Sequence, residues 1–474
     1  MYDIHTDMKK ITFAILGFAS QFMCGQTPVA FSPTTDFSGG NFGSHVQTSN
    51  GEILVSSGNA LLPGGEQPGK VYLFKTGSNG LEQTNAFYPN DALLSDNFGS
   101  SFTIKDDFIA IGSPNHDANF ENAGAVYVSK KTNNVWSALQ KITAPDGAVN
   151  SRFGSITKIH NNHLFISAIG ELFTGQGAVY VYNFDGNSWV FSQRLTVPGL
   201  QNLGVRIEAA NDKIVVLSGM NGASNFNTFT LQNGSWVLQS SIYAGATLEE
   251  NLADMCLSNN QLFVIYADLN MYHRIAIFND VNNSWVGTNA NIQTPGAFSG
   301  QKYTKLKVSG DTMLLGSTGY TLQFARKFPL LLFKKTNDNW VYQTAIYSNG
   351  ASNQDDYFGA SIDIDGDFAV VGAPKEGIIA TGNAYYFDAT LSTEKFEKKL
   401  SIVYPNPTSD LIFIKNNSQN VLEKAEIFSI NGSLIASQNS NLEQISTLTL
   451  SSGVYFLKLH YSNEIEETFK IFRK

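Results

Sequence analysis

The feature that most constrains this chain is a frame that returns about every fifty residues along most of its 474-residue length. It is clearest in FGASIDIDGDFAVVGAP (Phe358 to Pro374) and recurs as FGSHVQTSNGEILVSSG from Phe42, FGSSFTIKDDFIAIGSP from Phe98 and FGSITKIHNNHLFISAIG from Phe153. Weaker copies, LGVRIEAANDKIVVLSG from Leu203, LADMCLSNNQLFVIYAD from Leu252 and YTKLKVSGDTMLLGSTG from Tyr303, bring the number to seven. A unit repeated at this period cannot bury its apolar face alone, so neighbouring units must stack and share a core.

Each copy contains two short alternating runs around a polar turn, and six of the seven turns carry Asn or Asp eight residues after the landmark: Asn50, Asp106, Asn161, Asn211, Asn260 and Asp311, with Gly366 in the seventh. These are the residues that tolerate the left-handed backbone of a two-residue hairpin, and in the seventh unit the turn reads as Asp365-Gly366. A third strand follows a variable loop, as in KVYLFK at Lys70, GAVYVS at Gly124, GAVYVY at Gly177, NTFTLQ at Asn227, RIAIFN at Arg274, PLLLFK at Pro329 and NAYYFD at Asn383. A fourth begins at a tryptophan, and all five tryptophans (Trp136, Trp189, Trp236, Trp285, Trp340) occupy this one position. A position repeated in that way serves packing between repeats in preference to a comb of binding aromatics.

Charged residues are 15% of the chain, and Gly, Asn, Ser and aromatics are abundant, which favours strands and polar turns. The fold expected is therefore all-β: a seven-bladed β-propeller followed by a small Ig-like β-sandwich. The seventh unit lacks a fourth strand of its own, and TPVAFSPTTDFSGGNFG near the N-terminus aligns with QKITAPDGAVNSRFG so that Phe31 stands where Ile142 does. The N-terminal segment is thus expected to close the ring and leave no open edge.

These units resemble the FG-GAP repeat, the propeller unit of integrin α-subunits and of many bacterial extracellular proteins. The resemblance rests on Phe98-Gly99 with Gly112-Ser113-Pro114, on Phe358-Gly359 with Gly372-Ala373-Pro374, on the GAVYV strands and on APDGAVNSRFG (Ala144 to Gly154). It is specific in units two, three and seven and degenerate in units four to six. Members of that family often hold calcium in a D-x-D-x-D-G-x-x-D loop between the first two strands, and DIDGD (Asp363, Asp365, Asp367) raises that question here. The span from Phe358 to Gly372 is too short for such a loop, and nothing in it supplies the six or more oxygens calcium prefers. The expectation is no cofactor, with Asp363, Asp365 and Asp367 as weak calcium candidates.

The fifty-residue period stops near Thr390. A charged stretch (391–400) reads as a linker, and residues 401–474 contain short strands, LIFIK, KAEIFSI, SLIAS, STLTL, VYFLKLHY and EETFKIF, between Asn/Ser/Gly turns. Tyr404-Pro405-Asn406-Pro407, the Gly432 turn in IFSINGSLI, Gly453 in SSGVYFLKL and the basic close from Lys470 to Lys474 make this tail resemble the type A C-terminal sorting domain of the Bacteroidetes type IX secretion system. The resemblance implies passage through that machinery, with the protein then released or held at the outer surface.

At the other end, Met8-Lys9-Lys10 followed by the apolar Ile11 to Ser20 reads as a signal peptide over residues 1–25, cleaved between Gly25 and Gln26, with residues 1–7 upstream of the true start. The apolar run is too short for a stable span, and no transmembrane segment remains once it is removed. The mature chain is expected to comprise the propeller (26–390), the linker and the sorting domain (401–474).

The net charge of −9, with no basic cluster, argues against nucleic acid as a partner. Cys24 and Cys256 offer no disulfide framework, and Cys256 reads as a small core residue. Catalytic motifs such as G-x-S-x-G or H-E-x-x-H are missing, and His160 and His163 flank a turn without further ligands. The function expected is a secreted or cell-surface binding and adhesion propeller that meets an extracellular glycan or protein and is not an enzyme. Its candidate loops are Asn59 to Gly69, Pro114 to Gly124 and Pro374 to Gly382. The alternatives are an extracellular polysaccharide-active enzyme with a propeller catalytic domain and a non-binding structural surface protein.

Overall fold

Alternating apolar residues and left-handed turns translate into strands throughout: the element order among the described residues contains strands alone. The computed structural model describes residues 27–33, 40–58, 69–77, 80–91, 93, 95–170, 175–219, 224–243, 250–267, 273–295, 303–317, 328–350, 356–376, 381–389, 401–416, 420–429, 432–462 and 465–474. The signal peptide with its Gly25-Gln26 cleavage point, the linker 391–400 and most of the loop from Asn59 lie outside these residues. The chain divides into two compact units, Met1–Leu391 and Ser392–Lys474.

The first unit forms seven antiparallel sheets, six of four strands and one whose fourth strand is broken into Val135–Trp136 and Gln140–Ile142. Their first strands are Val46–Ser49, Ser101–Lys105, Phe153–His160, Arg206–Ala210, Glu250–Ser258, Tyr303–Ser309 and Ser361–Asp365. Each of these lies against the first strand of the next sheet, and the last lies against the first, so the seven form a closed inner circuit. The ring is sewn as expected: Val29–Phe31 pairs with Asn383–Asp388, and Phe31 faces Ala384 where Ile142 faces Val126.

The inner hairpins turn through two residues, with positive φ at Asn50, Asp106, Asn161, Asn211, Asn259, Gly310 and Gly366. Two details of the expected register change. In the fifth and sixth units the landmark residues Asn260 and Asp311 are second in the turn, because Ser258 pairs with Gln261 and Ser309 with Thr312. In the seventh the turn is Gly366-Asp367, since Asp365 still pairs with Phe368 as the last residue of its strand. Glycine takes the left-handed first position there, and Asp365 remains in the ladder.

The repeat landmarks pack each unit on itself through the phenylalanine and on its neighbour through the glycine. Phe42, Phe98, Phe153 and Phe358 are buried and pack edge-on against Tyr72, Tyr127, Tyr180 and Tyr385 of the third strands, with ring centroids 5.2 to 5.7 Å apart. The following glycine has φ near +90°, and its carbonyl presses on the glycine of the preceding unit's G-A/S-P motif. A Cβ on Gly112 would stand 2.0 Å from Gly154 O, and one on Gly372 would stand 1.9 Å from Gly43 O. No side chain fits at either place, which is why the motif keeps glycine.

All five tryptophans pack toward the preceding sheet. Trp136 meets Phe87, Trp189 meets Phe108, Trp236 meets Phe165 and Trp340 meets Phe263, at centroid distances of 5.0 to 6.3 Å. Trp285 donates Nε1–H to Thr228 Oγ1 at 2.9 Å.

The second unit is a pair of antiparallel sheets. One holds Ser401–Tyr404, Leu411–Asn416 and Gln444–Ser446; the other holds Leu434–Gln438, Leu422–Ser429, Gly453–Tyr461 and Ile465–Arg473. Ile412 and Ile414 from the first share a core with Ile427, Leu457 and Ile471 from the second. The strand expected over STLTL ends at Ser446, after which Leu450 N–H turns back to Thr447 O.

Candidate functional site

The three aspartates of DIDGD share no partner. Asp363 is buried; its Oδ2 accepts the Thr48 N–H at 2.9 Å and its Oδ1 lies 3.6 Å from Lys307 Nζ. Asp365 accepts the Asn50 N–H at 2.8 Å, and Asp367 lies 3.3 Å from Lys334 Nζ. Each carboxylate is held by a group of a neighbouring sheet, and their free lone pairs do not converge. Among the described residues no group of three or more His, Cys, Asp or Glu is placed to hold a metal ion.

Asp363 belongs to a wider arrangement. Counting back three residues from the inner turns gives one structural position in every sheet: Gln47, Thr103, Lys158, Glu208, Cys256, Lys307 and Asp363. Gln47 Oε1 accepts from Ile104 N, Thr103 Oγ1 from Ile159 N and Asp363 Oδ2 from Thr48 N, at 2.9 to 3.2 Å, each in the next sheet round. Lys158 pairs with Glu208 at 3.0 Å, and the Cys256 thiol faces Val308 O at 3.9 Å. Burial acts to lower the Lys307 pKa, but the Asp363 and Glu208 carboxylates outweigh it and keep the ammonium charged. For Asp363 burial dominates and raises the pKa, against the pull of Lys307. The Cys256 thiol, as expected in the core, is pushed up to about 12 by burial.

His160 and His163 are half-buried, because both reach the next sheet. His160 Nε2–H donates to Asn211 O at 2.7 Å, while His163 stacks edge-on against Trp236 and lies 2.7 Å from Asn183 Oδ1. They share no ligand geometry.

The face carrying the loops between second and third strands presents a different chemistry. In the second sheet Asp91 receives a hydrogen bond from the Tyr127 hydroxyl at 2.9 Å and one from Lys141 Nζ at 2.5 Å. His116, from the candidate loop Pro114 to Gly124, stands 2.7 Å from Asp96 through Nδ1 and 3.7 Å from Asp91 through Nε2. His116 and Asp96 are buried, whereas the Asp91 and Lys141 side chains are 47% and 38% exposed, so the cluster opens to solvent on one side. Burial raises the Asp91 pKa, but the bonds from Lys141 and Tyr127 outweigh it and hold the carboxylate ionised. Tyr88, Leu93 and Phe120 are exposed on the segments that flank this cluster.

The third sheet repeats the motif. Tyr180 donates to Asp146 at 2.6 Å, and Arg194 Nε lies 3.3 Å from the same carboxylate. Asp91 and Asp146 each stand seven residues before the Phe-Gly landmark, and Lys141 and Arg194 each five after the tryptophan. That double spacing is the signal by which the motif was readable; the aspartates fall in segments of loop composition and were passed over. In the seventh sheet Tyr385 donates to Glu376 at 2.6 Å, inside the third candidate loop, of which residues 377–380 lie outside the described ones.

Of the residues expected to form the sorting motif, Tyr404 lies in the smaller sheet, and the others lie near one end of the larger one. The Asn406 side chain donates to Lys470 O and accepts from Phe472 N, both at 2.8 Å, which ties the Tyr404-Pro405-Asn406-Pro407 segment to the basic C-terminus. Lys474 N–H donates to Thr408 O at 3.0 Å. Gly453 pairs with Arg473, and Gly432, at φ +81°, closes the hairpin from Ser429, whose partner is Tyr455. Tyr404 stacks on Phe413 at 5.8 Å beside a cleft of about 960 Å³ lined also by Lys415, Leu422 and Gln444.

Comparison with known families matches two descriptions. FG-GAP repeat covers residues 81–129, 136–182 and 340–387, and secretion system C-terminal sorting domain covers residues 402–473. The three repeats contain Phe98, Phe153 and Phe358, the landmarks of units two, three and seven. No curated protein matches the sequence. Similar solved structures include a protein from Lactobacillus plantarum, 11% identical over 83% of this chain and 97% of that one, with a TM-score of 0.48. The periplasmic gluconolactonase of Pseudomonas aeruginosa is 12% identical over 66% and 87%, with a TM-score of 0.44. Puromycin hydrolase is 9% identical over 93% and 62%, with a TM-score of 0.48.

Proposed function

We propose that this chain, whose first unit carries FG-GAP repeats and whose second is a type IX secretion sorting domain, acts outside the cell as a binding module for glycans. The sorting domain gives it a secreted or outer-surface address. The observation that carries the reading is the Tyr–carboxylate–cation motif repeated on the loop face of the second and third sheets. Asp91 and Asp146, each fixed by a tyrosine and a cation, offer rigid acceptors for sugar hydroxyls, and exposed Tyr88 and Phe120 offer apolar faces for sugar rings. Rigid polar groups beside aromatic platforms recognise without large ordering costs.

The sorting machinery is proposed to read the end of the tail where Tyr404, Pro405, Asn406, Pro407, Gly432, Gly453, Lys470 and Lys474 converge. A screen of the full chain against glycans and surface proteins, with and without calcium, tests the binding proposal. Glycan capture that survives chelation and weakens about tenfold in Asp91→Asn and Phe120→Ala supports it. Capture of proteins alone, or glycan binding unaffected by both substitutions, overturns it.

A further inference from the structure

Of the two copies of the Tyr–carboxylate–cation motif, only the one in the second sheet has a histidine against it among the described residues. His116 stands eighteen residues after Phe98; the same position holds Glu376 in the seventh sheet and Glu171, outside the described residues, in the third. The loop builds this position alike in the second and seventh sheets. His116 N–H donates to Ser113 O and its carbonyl accepts from Gly124 N, as Glu376 N–H donates to Ala373 O and its carbonyl accepts from Gly382 N. The backbone therefore does not demand an imidazole, and the reason for one lies in its side-chain contacts.

Four titratable side chains face the ring. Asp96, buried at 1% exposure, accepts the Nδ1–H at 2.7 Å and is itself held by the Leu93 N–H at 2.9 Å. That bond fixes the neutral tautomer with its lone pair on Nε2. Lys141 Nζ, from the fourth strand, donates to this lone pair at 3.3 Å and to Asp91 Oδ2 at 2.5 Å, while the same Asp91 oxygen lies 3.7 Å from Nε2. Tyr127, from the third strand, donates to the other Asp91 oxygen and meets the ring edge-on, with centroids 6.1 Å apart. Asp117, the next residue on the loop, is bonded to the Asn122 N–H instead.

We infer that His116 is a pH switch for ligand capture at the second sheet, holding Lys141 on Asp91 when neutral and displacing it when protonated. This role rests on the reading of the motif as a sugar-binding site. A proton on Nε2 turns the acceptor of Lys141 into a second cation 3.3 Å from it, which repels the ammonium and is drawn to Asp91 at 3.7 Å. Lys141 is 38% exposed and has solvent to move into, whereas buried His116 is anchored by Asp96. Asp91 then carries Tyr127 on one oxygen and the imidazolium on the other, so the acceptor it offered to a sugar hydroxyl and the cation beside it are both lost. In the third sheet Tyr180, Asp146 and Arg194 bond no histidine among the described residues, and a guanidinium stays charged throughout. The two copies thus answer acid differently, which supplies an internal control.

An immobilised glycan array, read with the full chain at about pH 8 and about pH 5, the interval in which imidazoles ordinarily titrate, tests the switch. Asp146→Asn, which leaves the second sheet's copy, is expected to lose capture about tenfold at the lower pH, the size of one charge-assisted hydrogen bond. Asp91→Asn, which leaves the third sheet's copy, and His116→Gln are expected to show no such loss. Equal capture at both pH values in Asp146→Asn, or the wild-type pH dependence in His116→Gln, overturns the switch and leaves the binding reading standing. Should His116→Gln not fold, the contrast between Asp146→Asn and Asp91→Asn decides. No glycan captured at either pH overturns the binding reading, and nitrogen NMR of isotope-labelled histidines and lysines in the full chain then decides whether the displacement occurs. A His116 imidazolium accompanied by a shifted Lys141 amine resonance at the lower pH upholds it. A His116 that stays neutral, or a Lys141 resonance that does not move, overturns it.

Discussion

At Asp363 a single carboxylate joins the seventh sheet to both of its neighbours, Thr48 on one side and Lys307 on the other. Removing it leaves the Thr48 amide unbonded and takes from buried Lys307 its strongest carboxylate partner, so Asp363→Ala is expected to cost about 3 kcal/mol in urea unfolding. Asp365 makes one exposed bond to a turn amide, and Asp365→Ala is expected to cost about 1 kcal/mol or less. Because no two of these aspartates share a partner, the melting temperature is expected to be the same in millimolar calcium and in chelator; a calcium-dependent rise would contradict the reading of DIDGD as a seam.

His45 adds a pH dependence. Its folded pKa is lowered from 6.5 to about 4. As pH falls through that window the unfolded chain takes up the proton and the folded chain resists it, so stability declines from about pH 6.5 toward 4 and is unaffected by this group above it. A pH series of Tm in His45→Gln is expected to be flatter over the same interval, and an identical slope would rule the effect out.

Among the elements, the fourth strands bear the packing between sheets, and their tryptophans differ in a way burial explains. Trp285 is 4% exposed and hydrogen-bonded across the junction, whereas Trp189 is half-buried. Trp285→Ala is expected to cost about 3–5 kcal/mol in denaturant unfolding, and Trp189→Ala clearly less. Phe31 packs against Phe42, Phe74 and Tyr386, so Phe31→Asp is expected to detach Val29–Phe31 and bare the edge of Asn383–Asp388. The expected outcome is a lower Tm with concentration-dependent aggregation, visible by light scattering.

For the whole molecule, removal of residues 401–474 is expected to keep the chain inside the cell while its first unit, which holds apolar cores of its own among the described residues, still folds. Fractionation of a Bacteroidetes host expressing both forms checks this. Much of the architecture was legible without coordinates, because it is written in local rules. Strands follow from period-two alternation, turns from Asn, Asp and Gly in the left-handed region, and Phe-Gly with Gly-Ala-Pro from a contact at which no Cβ fits. The missing fourth strand of the seventh unit and the address in the tail were readable for the same reason: each matches a pattern elsewhere in the chain or in a known family. What only the tertiary structure decided are the polar pairings. The position three before each turn holds Gln, Thr, Lys, Glu, Cys, Lys and Asp, with no shared identity to reveal a shared role. Thr48 and Asp363 stand 315 positions apart, and Asp91 and Lys141 fifty. Such groups acquire partners, altered pKa values and joint chemistry only when the ring closes and sets them side by side in a low dielectric, which no local pattern encodes.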